Sequence, residues 1–317
     1  MATNELVTFS QKIKSELALN SDYTLEEKKA ILSGFVRYSG SVSISPKLTI
    51  NMQSSIASVA KFIFSLFKEI YNVKPYFEYE KQLRLDKKII YNIKVDEKVR
   101  EILVDLEILD GFDKLRLHEM IKKSCFRGFV VGSFLASGQI SDPHNGHYFC
   151  EMVYNEEDDA KAVLGKFMLF KGNDTMSFKI TERRGKYVLY LKKGDQISVF
   201  LSFVGAISMM LDFENERLTR DFFNNENRLT ICTQANYARS LKTGEKNLRD
   251  IKFLEDKVGM IYFEPKVKEI VNLRKENKDA SYQEIADLAV ERGIQVTKSG
   301  VVHIFAKIAK DAAKLKE

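Results

Sequence analysis

Leu32-Ser-Gly-Phe-Val-Arg-Tyr-Ser-Gly40 and Val130-Val-Gly-Ser-Phe-Leu-Ala-Ser-Gly138 are two versions of one pattern. Each is an apolar run with an early glycine, Gly34 or Gly132, and a small-residue ending, Ser39-Gly40 or Ser137-Gly138. They stand about a hundred residues apart, and self-similarity at a fixed spacing marks a repeated unit. The surroundings repeat as well. After the first run come strand-like stretches at 42–44 and 47–52, and apolar residues at helical spacing over 56–71. Two more strand-like stretches follow at 74–79 and 89–95, then a helical pattern over 97–109. After the second run the same order reads 139–140, 148–154, 156–170, 176–181, 187–192 and 196–211, with Arg184-Gly185 as the turn of the second hairpin. Periodicities of two and of 3.6 residues distinguish these elements. The pattern predicts an α+β domain with pseudo-two-fold symmetry, built of two αββαββα halves over about 1–110 and 115–212.

The chain has 317 residues, enough for two domains at about 150 residues each. With 44% hydrophobic and 30% charged residues it is an ordinary globular composition, which excludes a largely disordered chain. No run approaches the roughly 20 apolar residues of a membrane span. The first twenty residues lack the apolar centre of a signal peptide. Three cysteines, Cys125, Cys150 and Cys232, form no CxxC pair, as expected for reduced thiols in a cytoplasmic protein. A net charge of +6 permits a nucleic-acid partner without specifying one.

Residues 213–262 read as a polar helical linker carrying Arg217, Arg220, Arg228, Arg239, Lys242, Lys246 and Arg249. Glu264-Pro265 then opens a compact unit over 263–317. Val267, Ile270, Val271 and Arg274 mark a first helix. Ser281-Tyr-Gln-Glu284 is a capping box, opening a second helix with Ile285, Ala286, Leu288 and Ala289 on its apolar side. Gly293 stands where a C-cap belongs, and Thr297 caps the next helix. That helix buries Val301, Ile304, Phe305, Ile308, Ala312 and Leu315. Three short helices with a tight turn before the last predict a helix-turn-helix. The outward face of the last helix carries Lys298, Ser299, Val302, His303, Ala306, Lys307 and Lys310. Lysine and serine suit phosphate, and His303 suits a base edge. Six Lys/Arg stand against two Asp/Glu from Arg292 onward. The expected DNA contacts are Ser281, Thr297, Lys298, Ser299, Val302, His303, Lys307 and Lys310, on double-stranded DNA. A helical interaction domain with a solvated lysine face is the other reading of the same pattern.

The two repeat openings resemble the LAGLIDADG motif of homing endonucleases. In those enzymes the paired helices pack through small residues, and an acid before each final glycine holds a divalent metal. Here those acid positions are Ser39 and Ser137, and Arg37 and Leu135 replace the other acid. Two neutral hydroxyls cannot replace the carboxylates that hold a hard cation and offset its charge, so the chain is expected not to be an enzyme, with no metal and no cofactor.

A degenerate LAGLIDADG domain followed by a helix-turn-helix resembles the WhiA family of bacterial sporulation and cell-division regulators. Supporting stretches are Ser10, Lys14-Ser-Glu-Leu17, Phe126-Arg-Gly128, Ala136-Ser-Gly-Gln-Ile-Ser-Asp-Pro143, Glu182-Arg-Arg-Gly-Lys-Tyr-Val-Leu-Tyr-Leu191, Gly194-Asp-Gln-Ile197, Gly205-Ala206, Asn227-Arg228, Cys232, Ala235-Asn236, Glu284-Ile-Ala286 and Ser299-Gly-Val301. The chain departs from the family at Ile231, Thr233, Arg239-Ser240, Ile294-Gln-Val296 and Val302-His303-Ile304, where an arginine of the last helix is lost. The resemblance implies promoter binding through the C-terminal unit, a link to cell division and chromosome segregation, and a WhiB-like or cell-division protein as partner. It also implies a nucleoid-associated monomer with no membrane contact. In the nuclease relatives the sheets form a saddle over DNA. By analogy Lys81, Arg84, Lys87, Lys88 and Lys94 in one half, and Lys179, Arg183, Arg184, Lys186, Lys192 and Lys193 in the other, are candidate phosphate contacts.

Other constellations read as structural. His144-x-x-His147-x-x-Cys150 lacks a fourth zinc ligand. Glu156-Glu157-Asp158-Asp159 suits a helix N-terminus, and Asp195 is expected to cap the last helix of the second half. No phosphate-binding glycine loop is present. The alternative function is a protein- or ligand-binding platform with DNA contact secondary.

Overall fold

The computed structural model describes residues 7–81, 89–117, 119–170 and 175–316. The chain divides into two compact units, Met1–Thr219 and Arg220–Glu317.

In the first unit an opening helix α1 (Phe9–Leu19) precedes the repeat. The first half follows as α2 (Leu25–Ser39), β1 (Gly40–Ser43), β2 (Thr49–Ser54), α3 (Ala57–Tyr71), β3 (Tyr76–Lys81), β4 (Ile89–Val95) and α4 (Val99–Asp105). A small hairpin, β5 (Leu109–Asp110) and β6 (Asp113–Lys114), leads to the second half. That half is α5 (Phe126–Ser137), β7 (Gln139–Ile140), β8 (Cys150–Tyr154), α6 (Glu157–Phe167), β9 (Lys179–Arg183), β10 (Lys186–Leu191) and α7 (Gly194–Val204). Both halves are αββαββα, as the repeat predicts. Each forms an antiparallel four-stranded sheet in the same spatial order, β1-β2-β4-β3 and β7-β8-β10-β9. Inward residues alternate along the central strands, with Met52 opposite Ile93 and Met152 opposite Leu189. All four are fully buried.

The two repeat helices cross at backbone contact. A Cβ on Gly132 would sit 2.1 Å from the Ile31 carbonyl oxygen, and one on Gly34 2.5 Å from that of Phe129. Close crossing of this kind requires glycine, and it closes Phe35, Phe129 and Phe134 into one core. α2 begins at a full capping box, with Thr24 accepting from the Glu27 N–H and Glu27 returning to the Thr24 N–H.

The 196–211 helix of the sequence reading is broken. α7 ends at Gly205, whose φ of +94° lies in the left-handed region, and α8 (Ile207–Val258) starts afresh. The N-terminal part of α8 belongs to the first unit, where Phe213 is buried. Asp195 does not cap α7. Lys193 holds that position without a side-chain bond, and Asp195 pairs with Arg217 instead. A strong cation within reach outcompetes a cap for a carboxylate.

The second unit contains the rest of α8, then α9 (Pro265–Glu276), α10 (Tyr282–Glu291) and α11 (Lys298–Lys314). Ile251, Leu254, Ile270, Val271, Ile285, Ala289, Val301, Phe305 and Ile308 make its core. Gly244 lets the α9–α10 turn touch α8, since a Cβ there would meet the Lys278 carbonyl oxygen at 2.0 Å.

Candidate nucleic-acid interface

The last helix is set by its caps and its stripe. Ser281 accepts from the Glu284 N–H (3.2 Å), and the Glu284 carboxylate accepts from the Ser281 N–H (2.6 Å). These bonds to Ser281 hold the Glu284 carboxyl below the usual glutamate range. Gly293, at φ +80°, turns the chain out of α10, and the Ile294 N–H returns to the Ala289 carbonyl (2.8 Å). Thr297 then accepts from the Gly300 N–H (3.3 Å) and starts α11. Val301, Phe305, Ile308 and Ala312 face the core, with Ile304 partly buried against it. Leu315 is 49% exposed rather than buried, because it lies beyond the end of α11.

The opposite side of α11 is solvent-facing. Lys298, Ser299, Val302, His303, Ala306, Lys307 and Lys310 are all exposed, on one helix face. Among the described residues no ion pair engages Lys298, Lys307 or Lys310. Ser281 and Thr297 lie at helix starts, with their hydroxyls engaged in capping. A capping hydroxyl accepts from the backbone and keeps its own proton for a phosphate.

By its spacing Arg274 is one more residue of the first helix's face. The structure buries it to 1% exposure under α11. Its guanidinium donates to the Asn277 (3.2 Å) and Ala280 (2.5 Å) carbonyls and lies over the Tyr282 and Phe305 rings at 5.7 and 5.5 Å. It locks the α9–α10 turn and braces α11 from below.

At Ser39 and Ser137, where the motif's acids are expected, the hydroxyls serve the backbone. Ser39 donates to the Phe35 carbonyl (2.7 Å). Ser137 accepts from the Val153 N–H (3.1 Å) and donates to the Val153 carbonyl (2.8 Å), tying α5 to β8. Leu135 is buried in the core. Arg37, with its side chain 1% exposed, faces Asp159 of the other half at 3.3 Å. It also donates to the carbonyls of Leu115 (3.0 Å) and Glu107. The Tyr38 hydroxyl donates to the same Asp159 carboxylate (3.1 Å), and burial together with that charge pushes the phenol pKa up. Asp159 is therefore more than one acid of a helix start. Glu156 holds the N-cap of α6 without a side-chain bond, Glu157 and Asp158 remain in the first turn, and Asp159 turns inward to Arg37.

Cys150 is turned into the core, and burial raises its thiol pKa. His144 and His147 are exposed, and His144 bonds to Asp142 (2.7 Å) and Glu216 (3.1 Å). Among the described residues no group of three or more His, Cys, Asp or Glu could hold a metal. On the sheets Lys94 pairs with Glu78 (2.6 Å), Arg183 with Glu151 (3.0 Å), and Lys192 lies over the Tyr190 ring (5.4 Å). Lys179, Arg184, Lys186 and Lys193 are exposed. Arg84, Lys87 and Lys88, and the side chain of Lys81, lie outside the described residues. No described helix is long and apolar enough to cross a membrane.

Two pseudo-repeated halves packed glycine to backbone, followed by a capped three-helix unit, define a LAGLIDADG-like domain joined to a helix-turn-helix. Three family models match: the WhiA N-terminal LAGLIDADG-like domain over 25–109, the WhiA LAGLIDADG-like domain over 126–222, and the WhiA C-terminal HTH domain over 227–312. The chain belongs to the WhiA family. The "Probable cell division protein WhiA" of Bacillus thuringiensis (strain Al Hakam) is 34% identical over 320 residues, covering 98% of each chain. That of Bacillus cereus (strain G9842) is 34% identical over 319 residues, with the same coverage. The fold is similar to the crystal structure of full-length DUF199/WhiA from Thermatoga maritima. That match has a TM-score of 0.60 at 21% identity and covers 97% of this chain and 98% of that one.

Proposed function

We propose that the chain is a non-enzymatic DNA-binding regulator that reads double-stranded DNA with α11. The observation that carries this is the exposed face of α11, where three lysines without ion-pair partners among the described residues frame Ser299, Val302 and His303. Lys298, Ser299, Val302, His303 and Lys307 make up the reading face, with the Lys298 and Lys307 ammonium groups at the phosphates beside the bases, and Lys310 takes a further phosphate. Ser281 and Thr297 add hydroxyl contacts at the helix starts. The reading helices lie within 263–317, the linker 213–262 completes their core with Ile251 and Leu254, and the domain of residues 1–212 precedes them. Ser39, Ser137 and Arg37 are all spent on holding the domain together, which supports a non-catalytic role. The curated relatives carry the name of a cell division protein, which supports a role in division; promoter regulation and chromosome segregation are the roles proposed for it here. In that role the protein works as a nucleoid-associated monomer in the cytoplasm, with a WhiB-like or division protein as partner.

A second reading has one observation behind it. Val42, Ile44, Leu48, Leu103, Leu109 and Phe112 line an apolar cleft of about 420 Å³, with Phe112 89% exposed. A cleft of this size suits a platform that binds a protein or ligand, with DNA contact secondary.

Fluorescence anisotropy of the full chain on a target duplex tests the first reading. The logarithm of the binding constant falls linearly with the logarithm of salt concentration. Lys298→Ala/Lys307→Ala flattens that slope by roughly 2, at about 0.9 per phosphate contact. Binding that ignores salt, or a slope unchanged in the double variant, contradicts the reading.

A further inference from the structure

Five cations of α8 form a stripe that the helix-turn-helix reading does not use. Arg228, Arg239, Lys242, Lys246 and Arg249 are all exposed and belong to the second unit. At 100° per residue they fall within an arc of about 80°, along about 30 Å of helix. The residues that bury α8 in its own unit, Gly244, Asn247, Ile251 and Leu254, lie on another face, about 140° away. The stripe therefore points away from the unit's core.

Three features separate it from an ordinary solvated face. Glu245 is the single acid between 228 and 249, at i,i+3 from Lys242 and i,i+4 from Arg249, and among the described residues no ion pair joins it to either. The next acid, Asp250, pairs with Lys316 (3.6 Å). Among the described residues no ion pair engages any of the five cations. Finally, four of the five are spaced i,i+3 or i,i+4 as like charges: Arg239 to Lys242, Lys242 to Lys246, and Lys246 to Arg249. Each such pair opposes helix formation. α6 shows the self-satisfied alternative, with Glu157 and Lys161 paired at i,i+4 (2.8 Å). A row of mutually repelling cations is relieved by a polyanion lying along it.

We propose that this face of α8 is a second binding surface, for the phosphate backbone of a double-stranded nucleic acid. About 30 Å of stripe corresponds to some nine base-pair steps at 3.4 Å each. Single charges on flexible stems contact phosphates without reading bases, so binding here is independent of sequence. A membrane surface fits poorly. An interfacial helix needs a broad apolar face beside its cations; α8 exposes Leu229, Ile231 and Tyr237 before Gly244, but beside Lys246 and Arg249 the apolar face is spent on the unit's own core, and the vesicle titration below separates the two occupants. The inference goes beyond the reading role of α11 and does not depend on it.

The experiment uses the full chain and a random-sequence DNA duplex, titrated across salt concentrations. Arg239→Ala/Lys242→Ala/Lys246→Ala is expected to weaken binding at low salt at least tenfold. It should also flatten the salt slope by roughly 2–3, at about 0.9 per lost contact. Lys242→Arg/Lys246→Arg keeps the charge and should keep the slope. The melting temperature of the triple variant should stay level or rise, because repulsion is removed. Parallel titrations with an RNA duplex show whether the surface takes any double-stranded backbone or DNA alone. A triple variant with wild-type affinity and slope overturns the proposal, as does a lowered melting temperature with binding lost. Tighter binding of phosphatidylglycerol vesicles than of DNA overturns it as well. Lys298→Ala/Lys307→Ala is the separate arm: its failure to change target binding sinks the α11 reading and leaves this one to be decided by the triple variant.

Discussion

Gly132→Ala lowers the thermal midpoint of the first unit by roughly 6–12 °C, and Gly132→Leu prevents it from folding. The cause is steric and involves backbone. The first atom added to Gly132 meets the Ile31 carbonyl oxygen at 2.1 Å, so no side-chain rotation relieves it. The helices must part, and the buried rings of Phe35, Phe129 and Phe134 lose contact. Overpacking of this kind costs about 3 kcal/mol, at about 2–4 °C per kcal/mol for a unit of this size. Gly165→Ala is the control. Nothing lies within 4 Å of a Cβ at Gly165, inside α6, so alanine there stabilises by about 0.5–1 kcal/mol through helix propensity. Circular dichroism melts of the three variants decide the matter. Equal midpoints for Gly132→Ala and wild type contradict the crossing geometry.

Arg37→Ala costs the first unit about 3–5 kcal/mol. Arg37 and Asp159 face each other with side chains 1% and 7% exposed. Removing the arginine leaves a buried carboxylate facing, among the described residues, the Tyr38 hydroxyl and Lys114 at 3.9 Å. It also strips the Glu107 and Leu115 carbonyls of a donor. The double variant Arg37→Leu/Asp159→Leu is expected to recover part of that loss, because no buried carboxylate is left unpaired, while the Glu107 and Leu115 carbonyls and the Tyr38 hydroxyl still lack their partners. Urea unfolding of the single and double variants measures the coupling. Additive losses in the double variant contradict a paired role. Arg37 thus clamps the two halves of the domain together.

The repeat was legible because both halves alternate at period two and then at 3.6 in the same order, and bulk burial enforces those periods. α1 was not, since it lies outside the repeat and has no second copy to confirm it. The continuous helix expected over 196–211 failed at Gly205, a residue whose left-handed φ nothing in the apolar spacing announces. Asp195 and Asp159 look by local position like helix-start acids. Their partners, Arg217 and Arg37, come from elsewhere in the chain and are brought close only by tertiary packing. At the interface, the Ser281 and Thr297 caps and the Val301–Phe305–Ile308 stripe follow from local rules and were visible. Arg274 was not, because a guanidinium on an amphipathic helix looks solvated until its carbonyl partners at 277 and 280 fold over it.

Chromatin immunoprecipitation across the genome, with wild type beside Lys298→Ala/Lys307→Ala, tests the central claim most directly. Reading of DNA by α11 predicts sharp promoter peaks in the wild type that disappear in the variant while the protein level is unchanged. Peaks of equal height and position in both strains, or no enrichment in the wild type, contradict it.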